Sequence, residues 1–388
     1  MIKSLTITMP LFVCFFWSLL IATDLIRNGL RRHRIYLFVF FVAATVLYLG
    51  HAVFFSRSLE WLPMSDWLYS TCNLAVYPLW YLYVSSLTQR HFTKGEQFII
   101  LLPTMIGCVA VGVQYLIMSP DDTAMFVEQY LYNNISNMPS EAGNIQAHIH
   151  NASKVTFGLQ LIPILYFGYR KIKKFNQQVN SIYADTENKV VPAAMHYLLI
   201  LFLVTSVMSF IVNALGRYRF EDSLPLLAFP SVIFTLLLFF IGYISYFQTF
   251  TIDDIKSDEL EADDFIEKST NSSELRERIE QVMITEKLYL QPNLKLHDLV
   301  RYVQSNRNYV YNAINKEMGV SFNEYVNRLR IDHSIRLIQQ HPDMPLAEVA
   351  EKSGFTSIAS FYRNFKQFTG KSPKEYSGGV RKLPDSED

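Results

Sequence analysis

The sequence predicts an all-α protein in two parts, a seven-helix transmembrane bundle over residues 1–250 and a polar helical domain over 271–383. Three observations point there. Half of the 388 residues are apolar and only 18% are charged, where an ordinary soluble protein carries about a quarter. Residues 1–250 hold 16 Lys/Arg and 12 Asp/Glu, while the remaining 138 hold 19 and 23. The apolar pattern also changes, from unbroken runs to helical spacing near Ser273. A single small domain, a disordered chain and a disulfide scaffold are excluded.

The apolar runs cover roughly 4–26, 35–55, 67–87, 98–118, 153–169, 193–215 and 225–248. Each approaches the ~20 residues that a helix needs to cross a ~30 Å hydrocarbon core. The fifth is short unless it extends into its basic flank. The first has one lysine at its start, ends in Asp24-Leu-Ile-Arg27 and lacks a small-residue cleavage site, so it reads as a span rather than a leader. Cys14, Cys72 and Cys108 lie inside apolar runs with no metal or redox spacing and read as small hydrophobes. No cofactor is implied.

Basic residues set the expected orientation. The connections after runs one, three and five carry Arg27, Arg31, Arg32, Arg34, Arg90, Lys94, Arg170, Lys171, Lys173, Lys174 and Lys189, 11 in all. The other side has Lys3, Arg57, Lys154, Arg217 and Arg219. The N-terminus is therefore expected outside and the C-terminal part in the cytoplasm, with the chain multi-pass in the inner membrane.

The long outward connection, about residues 119–152, has no Lys or Arg but carries Asp121, Asp122, Glu128, Glu141, His148 and His150. It reads as a solvated loop with a short helix near 122–132; His-Ile-His is a weak metal signal because both rings share a side only in an extended strand. Asp24, Asn73, Gln114, Gln160, His196 and Asn213 lie within the spans. Such residues face a bundle interior, as a signal pocket or as hydrogen bonds between helices; the second reading is preferred for each singly. Pro78, Pro103, Pro163 and Pro230 are candidate kinks. No catalytic motif occurs here, and none supports an enzyme.

Residues 251–270 carry eight acidic residues against Lys256 and Lys268 and read as a solvated linker, with Ile255, Leu260, Phe265 and Ile266 on one face of a short helix. Beyond it, Leu296, Leu299, Val300 and Val303 form one apolar helical face. Gln304-Ser305-Asn306 breaks it. Val310, Ala313, Ile314 and Met318 form another, stopped by Gly319. Ser321 with Glu324 signals a capped start for a helix with Phe322, Tyr325, Val326, Leu329, Leu337 and Ile338 on its face, ending before His341-Pro342. The pattern then repeats: Leu346, Val349 and Ala350, Gly354, a cap at Thr356/Ser357, and Phe361, Phe365 and Phe368 until Gly370. Residues 384–388 are a polar tail.

Two helix-turn-helix units thus share one connecting helix. About 20 residues at ~1.5 Å each span about 30 Å, close to the ~34–36 Å turn of B-DNA. Both second helices can then enter successive major grooves. Residues 271–383 hold 17 Lys/Arg and 12 Asp/Glu, the right sign for a polyanion.

The stretch LAEVAEKSGFTSIASFYRNFKQFTGKSPKEY, residues 346–376, resembles the second helix-turn-helix of the AraC/XylS family of bacterial transcription regulators. The features that match are Ala350, Gly354-Phe355, Ser360, Phe361, Arg363, Phe365-Lys366, Gly370, Pro373 and Tyr376. The preceding unit is similar at Leu299, Gly319, Ser321-Phe322, Tyr325 and Arg330-Ile331. Val300, Ile314 and Ser334 depart from the family's usual Ala, Phe and Ala, which predicts less regular packing of the first unit. The resemblance covers about 100 C-terminal residues and not the membrane half; it implies a membrane-embedded sensor fused to a cytoplasmic AraC-type domain.

With the core assigned, Arg307, Asn308, Tyr311, Asn312 and Asn315 point outward from the first recognition helix. Asn pairs bidentately with adenine and Tyr meets sugars or thymine methyls. In the second, Ala359, Tyr362 and Arg363 point outward, where the resemblance places base-reading residues; Ile358 is assigned to the core by its spacing from Phe361. Lys366, Lys371 and Lys374 suit phosphates. The expected partners are double-stranded promoter DNA, the lipid bilayer and an unidentified signal molecule or membrane partner, with homodimer formation left open. The alternative is a membrane transporter or a scaffold carrying an accessory helix-turn-helix domain.

Overall fold

Long apolar stretches leave the backbone no partner but itself, and they form helices. A computed structural model describes residues 2–89, 93–135, 137–186, 192–220, 223–248, 250–255 and 272–380. The linker beyond 255, the tail, Arg90 and Lys189 lie outside them, as does the side chain of His196. Among the described residues the chain is helical, with one isolated bridge, Tyr183 to Lys295. It divides into two units, 1–173 with 192–251 and 174–191 with 252–388.

The helices of the first unit are α1 (Ile2–Asn28), α2 (Arg32–Phe55), α3 (Leu62–Thr88), α4 (Lys94–Ile117), α5 (Pro120–Phe126), α6 (Glu141–Ile182, whose end belongs to the second unit), α7 (Pro192–Leu215) and α8 (Leu224–Phe247). Helix α2 packs on α1 and α3; α4 adds to α3, and α8 to α1. Trp17 fills the gap left by Gly242, where a Cβ would lie 2.4 Å from the indole. Trp80 stacks on Phe202 with centroids 4.0 Å apart.

Four segments are long and apolar enough to cross a membrane among the described residues: Ile2–Asn28, Arg32–Phe55, Lys94–Ile117 and Leu224–Ile255. Within α7 the stretch Ile200–Leu215 is apolar. The sequence led us to expect seven spans. Helix α3 is diluted by Ser65, Asp66, Ser70 and Asn73, and α6 runs on at both ends of its apolar middle into polar sequence. On α4, Ile99, Ile106, Val109, Leu116 and Ile117 are all exposed, an apolar outer surface suited to hydrocarbon.

Polar residues inside these helices make bonds between elements. Gln160 Nε2 donates to the Leu74 carbonyl at 3.1 Å, and Gln114 Nε2 to that of Ala142 at 2.9 Å. The amides of Asn73 and Asn213 meet at 3.4 Å. Asp24 pairs with buried Arg34 at 3.3 Å. The helices run through Pro78, Pro103, Pro163 and Pro230.

The connection at 119–152 holds more order than a solvated loop. Helix α5 continues into a π-turn over Val127–Tyr132, and α6 starts at Glu141. His148 and His150 are therefore on a helix, two positions apart and on different faces. His150 is buried: its Nε2 lies 2.7 Å from Asp66 Oδ2, which also accepts the Tyr115 hydroxyl at 2.9 Å. Among the described residues no cluster of His, Cys, Asp and Glu suits a metal ion.

The second unit contains α9 (Ser272–Thr285), α10 (Leu296–Val303), α11 (Arg307–Asn312), α12 (Phe322–Gln340), α13 (Leu346–Lys352), α14 (Ile358–Thr369) and α15 (Pro373–Val380). Helix α12 serves two cores. Phe322 and Val326 join Leu275, Ile279, Leu299, Val300, Val310 and Ile314. Ile331 and Ile338 join Val349, Ala350, Phe355, Phe361 and Phe365. Val300 and Ile314 are both buried in the first core.

Candidate nucleic-acid interface

Each helix-turn-helix is set by local capping. In the first, the Lys295 N–H donates to Asp298 Oδ2 at 2.9 Å and starts α10. Gln304 ends it in the left-handed region, φ 48°. Two residues later the Asn306 side chain accepts the Asn308 N–H at 2.8 Å and starts α11. The sequence led us to expect one regular helix to Gly319; α11 instead widens into a π-turn over Ala313–Glu317, and Gly319 reverses the chain at φ 70°.

In the second unit the turn after α13 passes through Gly354 at φ 83°, where a Cβ would sit 2.7 Å from the Leu290 carbonyl oxygen. No other residue fits that approach. Ser357 alone caps α14, its hydroxyl accepting the Ser360 N–H at 3.0 Å; Thr356 is turned to the Asp185 carboxylate. Gly370 closes α14 at φ 75°.

The connecting helix α12 has 19 residues, about 28 Å at ~1.5 Å each, which matches the sequence expectation. The Ser321 hydroxyl accepts the Glu324 N–H at 3.2 Å. Arg330, almost fully buried, bonds the carbonyls of Tyr289 (Nε, 2.6 Å) and Gln291 (2.8 Å). Burial pulls its pKa down to about 10, opposed by the charge of Asp185. It remains a cation at neutral pH.

On the first recognition helix Asn308 is exposed, and Arg307, Tyr311, Asn312 and Asn315 are half-buried. Tyr311 also packs on the first core, and Asn315 Nδ2 donates to the Tyr311 carbonyl at 3.1 Å. On the second, Ala359, Arg363 and Lys366 are exposed and Tyr362 half-buried, edge-on to Phe361. Lys371, just before α15, and Lys374, in its first turn, are exposed.

Ile358 corrects the sequence assignment. It is 48% exposed, because the core under α14 begins at Phe361 and the first helical turn projects beyond it. In the first helix-turn-helix, Tyr309 on α11 is 41% exposed, and Lys316 in the π-turn that follows is exposed too. Period counting misses such first-turn residues; the Ser-X-X-Ser cap at Ser357 was the signal that placed Ile358 at a helix start.

A second polar site lies within the first unit. Ser70, Asn73, Tyr130, His150, Lys154 and Asn213 line one cleft. The Lys154 ammonium stands 5.4 Å from the centroid of the Tyr130 ring.

Two helix-turn-helix units sharing one linker helix define a DNA-binding domain of the AraC type. Residues 299–378 match the family described as "Helix-turn-helix domain". An uncharacterized HTH-type transcriptional regulator of Staphylococcus aureus (strain COL) is 33% identical over 102 residues, 26% of this chain and 14% of that protein. The Msm operon regulatory protein of Streptococcus mutans is 29% identical over 84 residues, 22% of this chain and 30% of that protein. The chain thus spans only a minor part of the curated relatives it matches. No solved structure matches it.

Proposed function

We propose that the chain is a membrane-bound transcription regulator and not an enzyme. Residues 1–250 form a seven-helix sensor, 251–270 an acidic linker and 271–383 a cytoplasmic domain that reads promoter DNA, with the N-terminus outside. The observation that carries the reading is α12: one 19-residue helix links two capped helix-turn-helix units, and its length of about 28 Å is of the order of one DNA turn. The four apolar segments and the basic bias of alternate connections support the membrane placement and its polarity.

In this reading Asn308, Asn312, Arg363 and Ala359 meet base edges, with Arg307, Tyr311, Asn315 and Tyr362 beside them, and Lys366 and Lys371 meet phosphates. The cleft at Asn73, His150 and Asn213 is where a signal molecule would bias the bundle; a ligand shifts it only by binding one conformation better than another. The test is selection from random duplex DNA by the full chain in lipid nanodiscs. A single enriched bipartite motif, lost in Arg363→Ala, is expected. Uniform retention of all sequences at moderate salt would refute sequence-specific reading.

A further inference from the structure

We propose that Tyr183–Thr186, the non-helical residues that follow helix α6, are a docking strand of the DNA-binding domain that fixes the spacing of its two recognition helices. The inference rests on the DNA-reading function proposed above.

The bonds of these residues reach the start of α10, helix α12 and the turn before α14. Tyr183 forms an antiparallel bridge with Lys295, the residue that starts α10, and the Ala184 N–H donates to the Leu294 carbonyl at 3.0 Å. The Ala184 carbonyl accepts two amides of α12, Asn323 Nδ2 at 2.6 Å and Asn327 Nδ2 at 3.3 Å. Asn323 Nδ2 also lies 3.4 Å from Thr186 Oγ1. The Asp185 carboxylate accepts the hydroxyl of Thr356, next to the cap of the second recognition helix. Tyr183 and Ala184 are fully buried, and Asn327 is 3% exposed.

Four residues therefore tie the first helix-turn-helix, the connecting helix and the second. The dock is specific for non-helical backbone with free peptide groups: two asparagines one helical turn apart converge on the Ala184 carbonyl, and the Leu294 carbonyl takes its N–H. Without the strand, Asn327 would hold a buried amide with no acceptor from it, which costs more than the bond itself gains. These residues directly follow Ile182, the last residue of helix α6. Strand engaged, the two helix-turn-helix units hold one separation; strand withdrawn, they keep only α12 with its Arg330 and the packing of Gly354 on Leu290.

The test uses the full chain in lipid nanodiscs. Hydrogen exchange is measured first. The Ala184 amide is expected to exchange at least about 100-fold slower than an unstructured peptide; exchange at the unstructured rate overturns the proposal. Next, about two base pairs are inserted between the halves of the selected motif. Wild type is expected to lose about 10-fold in affinity, and Asn323→Ala/Asn327→Ala less than about 3-fold, with non-specific binding unchanged. Should exchange over 272–380 show that the double variant is unfolded, Asp185→Ala, which leaves α12 intact, is read in its place. Equal discrimination in wild type and variant overturns the proposal. If no motif is selected at all, the DNA-reading function has failed, and the exchange measurement still decides whether the strand is docked.

Discussion

The guanidinium carbon of Arg330 stands 5.6 Å from the centroid of the Phe355 ring. The same side chain bonds the carbonyls of Tyr289 and Gln291 ahead of the first helix-turn-helix. One buried cation thus joins the turn of the second unit to the entry of the first. Arg330→Ala leaves two carbonyls without that donor and is expected to destabilise the domain by about 2–4 kcal/mol. Arg330→Lys recovers only part, because one ammonium cannot reproduce the planar fork. Thermal unfolding of the full chain, followed by exchange over 272–380, measures both.

Gly354 carries a steric prediction. Its φ of 83° and the 2.7 Å approach of a built Cβ to the Leu290 oxygen leave no room for a side chain. Gly354→Ala should cost roughly 2–4 kcal/mol from backbone strain and overlap together. Gly319→Ala, at φ 70° with nothing within 4 Å, should cost about 1–2 kcal/mol. Equal losses in the two variants would contradict the role given to Leu290.

The proposed function assigns some residues of the recognition surface to bases and others to phosphates. Arg363→Ala is expected to cost about 1–3 kcal/mol on the selected motif and to relax specificity at one position. Lys366→Ala and Lys371→Ala should weaken all sequences alike and reduce the salt slope by about 1 each. Ile358→Ser tests the exposed first turn: discrimination at a thymine should fall while salt dependence stays the same. Quantitative binding across a salt series reads all of these.

His333 supplies a pH dependence. Burial, with Arg336 and Lys287 nearby, lowers its pKa below the usual 6.5. The unfolded chain then takes up a proton more readily than the folded one, so this contribution to stability is present above 6.5 and declines as pH falls toward the folded value. His333→Gln should flatten the acid side of the unfolding profile. A steeper decline in that variant would contradict the assignment.

Much of this was legible in the sequence, for a physical reason. Caps, turns and short amphipathic helices are local, so Asn306, Ser321, Ser357, Gly354 and the extent of α12 follow from residues a few positions apart. Ile358 was misplaced because periodicity reports a helix face but not where the core beneath it stops. His150 was read as solvated because its partner, Asp66, lies on α3, 84 residues away. The strand at 183–186 left no mark, since its bonds run mostly through backbone groups that every sequence shares. The length of α6 was hidden by its polar ends, which read as the limits of a span.

The central claim is that one chain anchored by apolar helices reads DNA through α11 and α14. Chromatin immunoprecipitation of the full-length protein, with sequencing, tests it most directly. Discrete genomic sites sharing one bipartite motif, abolished by Asn312→Ala/Arg363→Ala at unchanged protein level in the membrane fraction, are expected. A uniform profile, or sites that persist in that double variant, would contradict it.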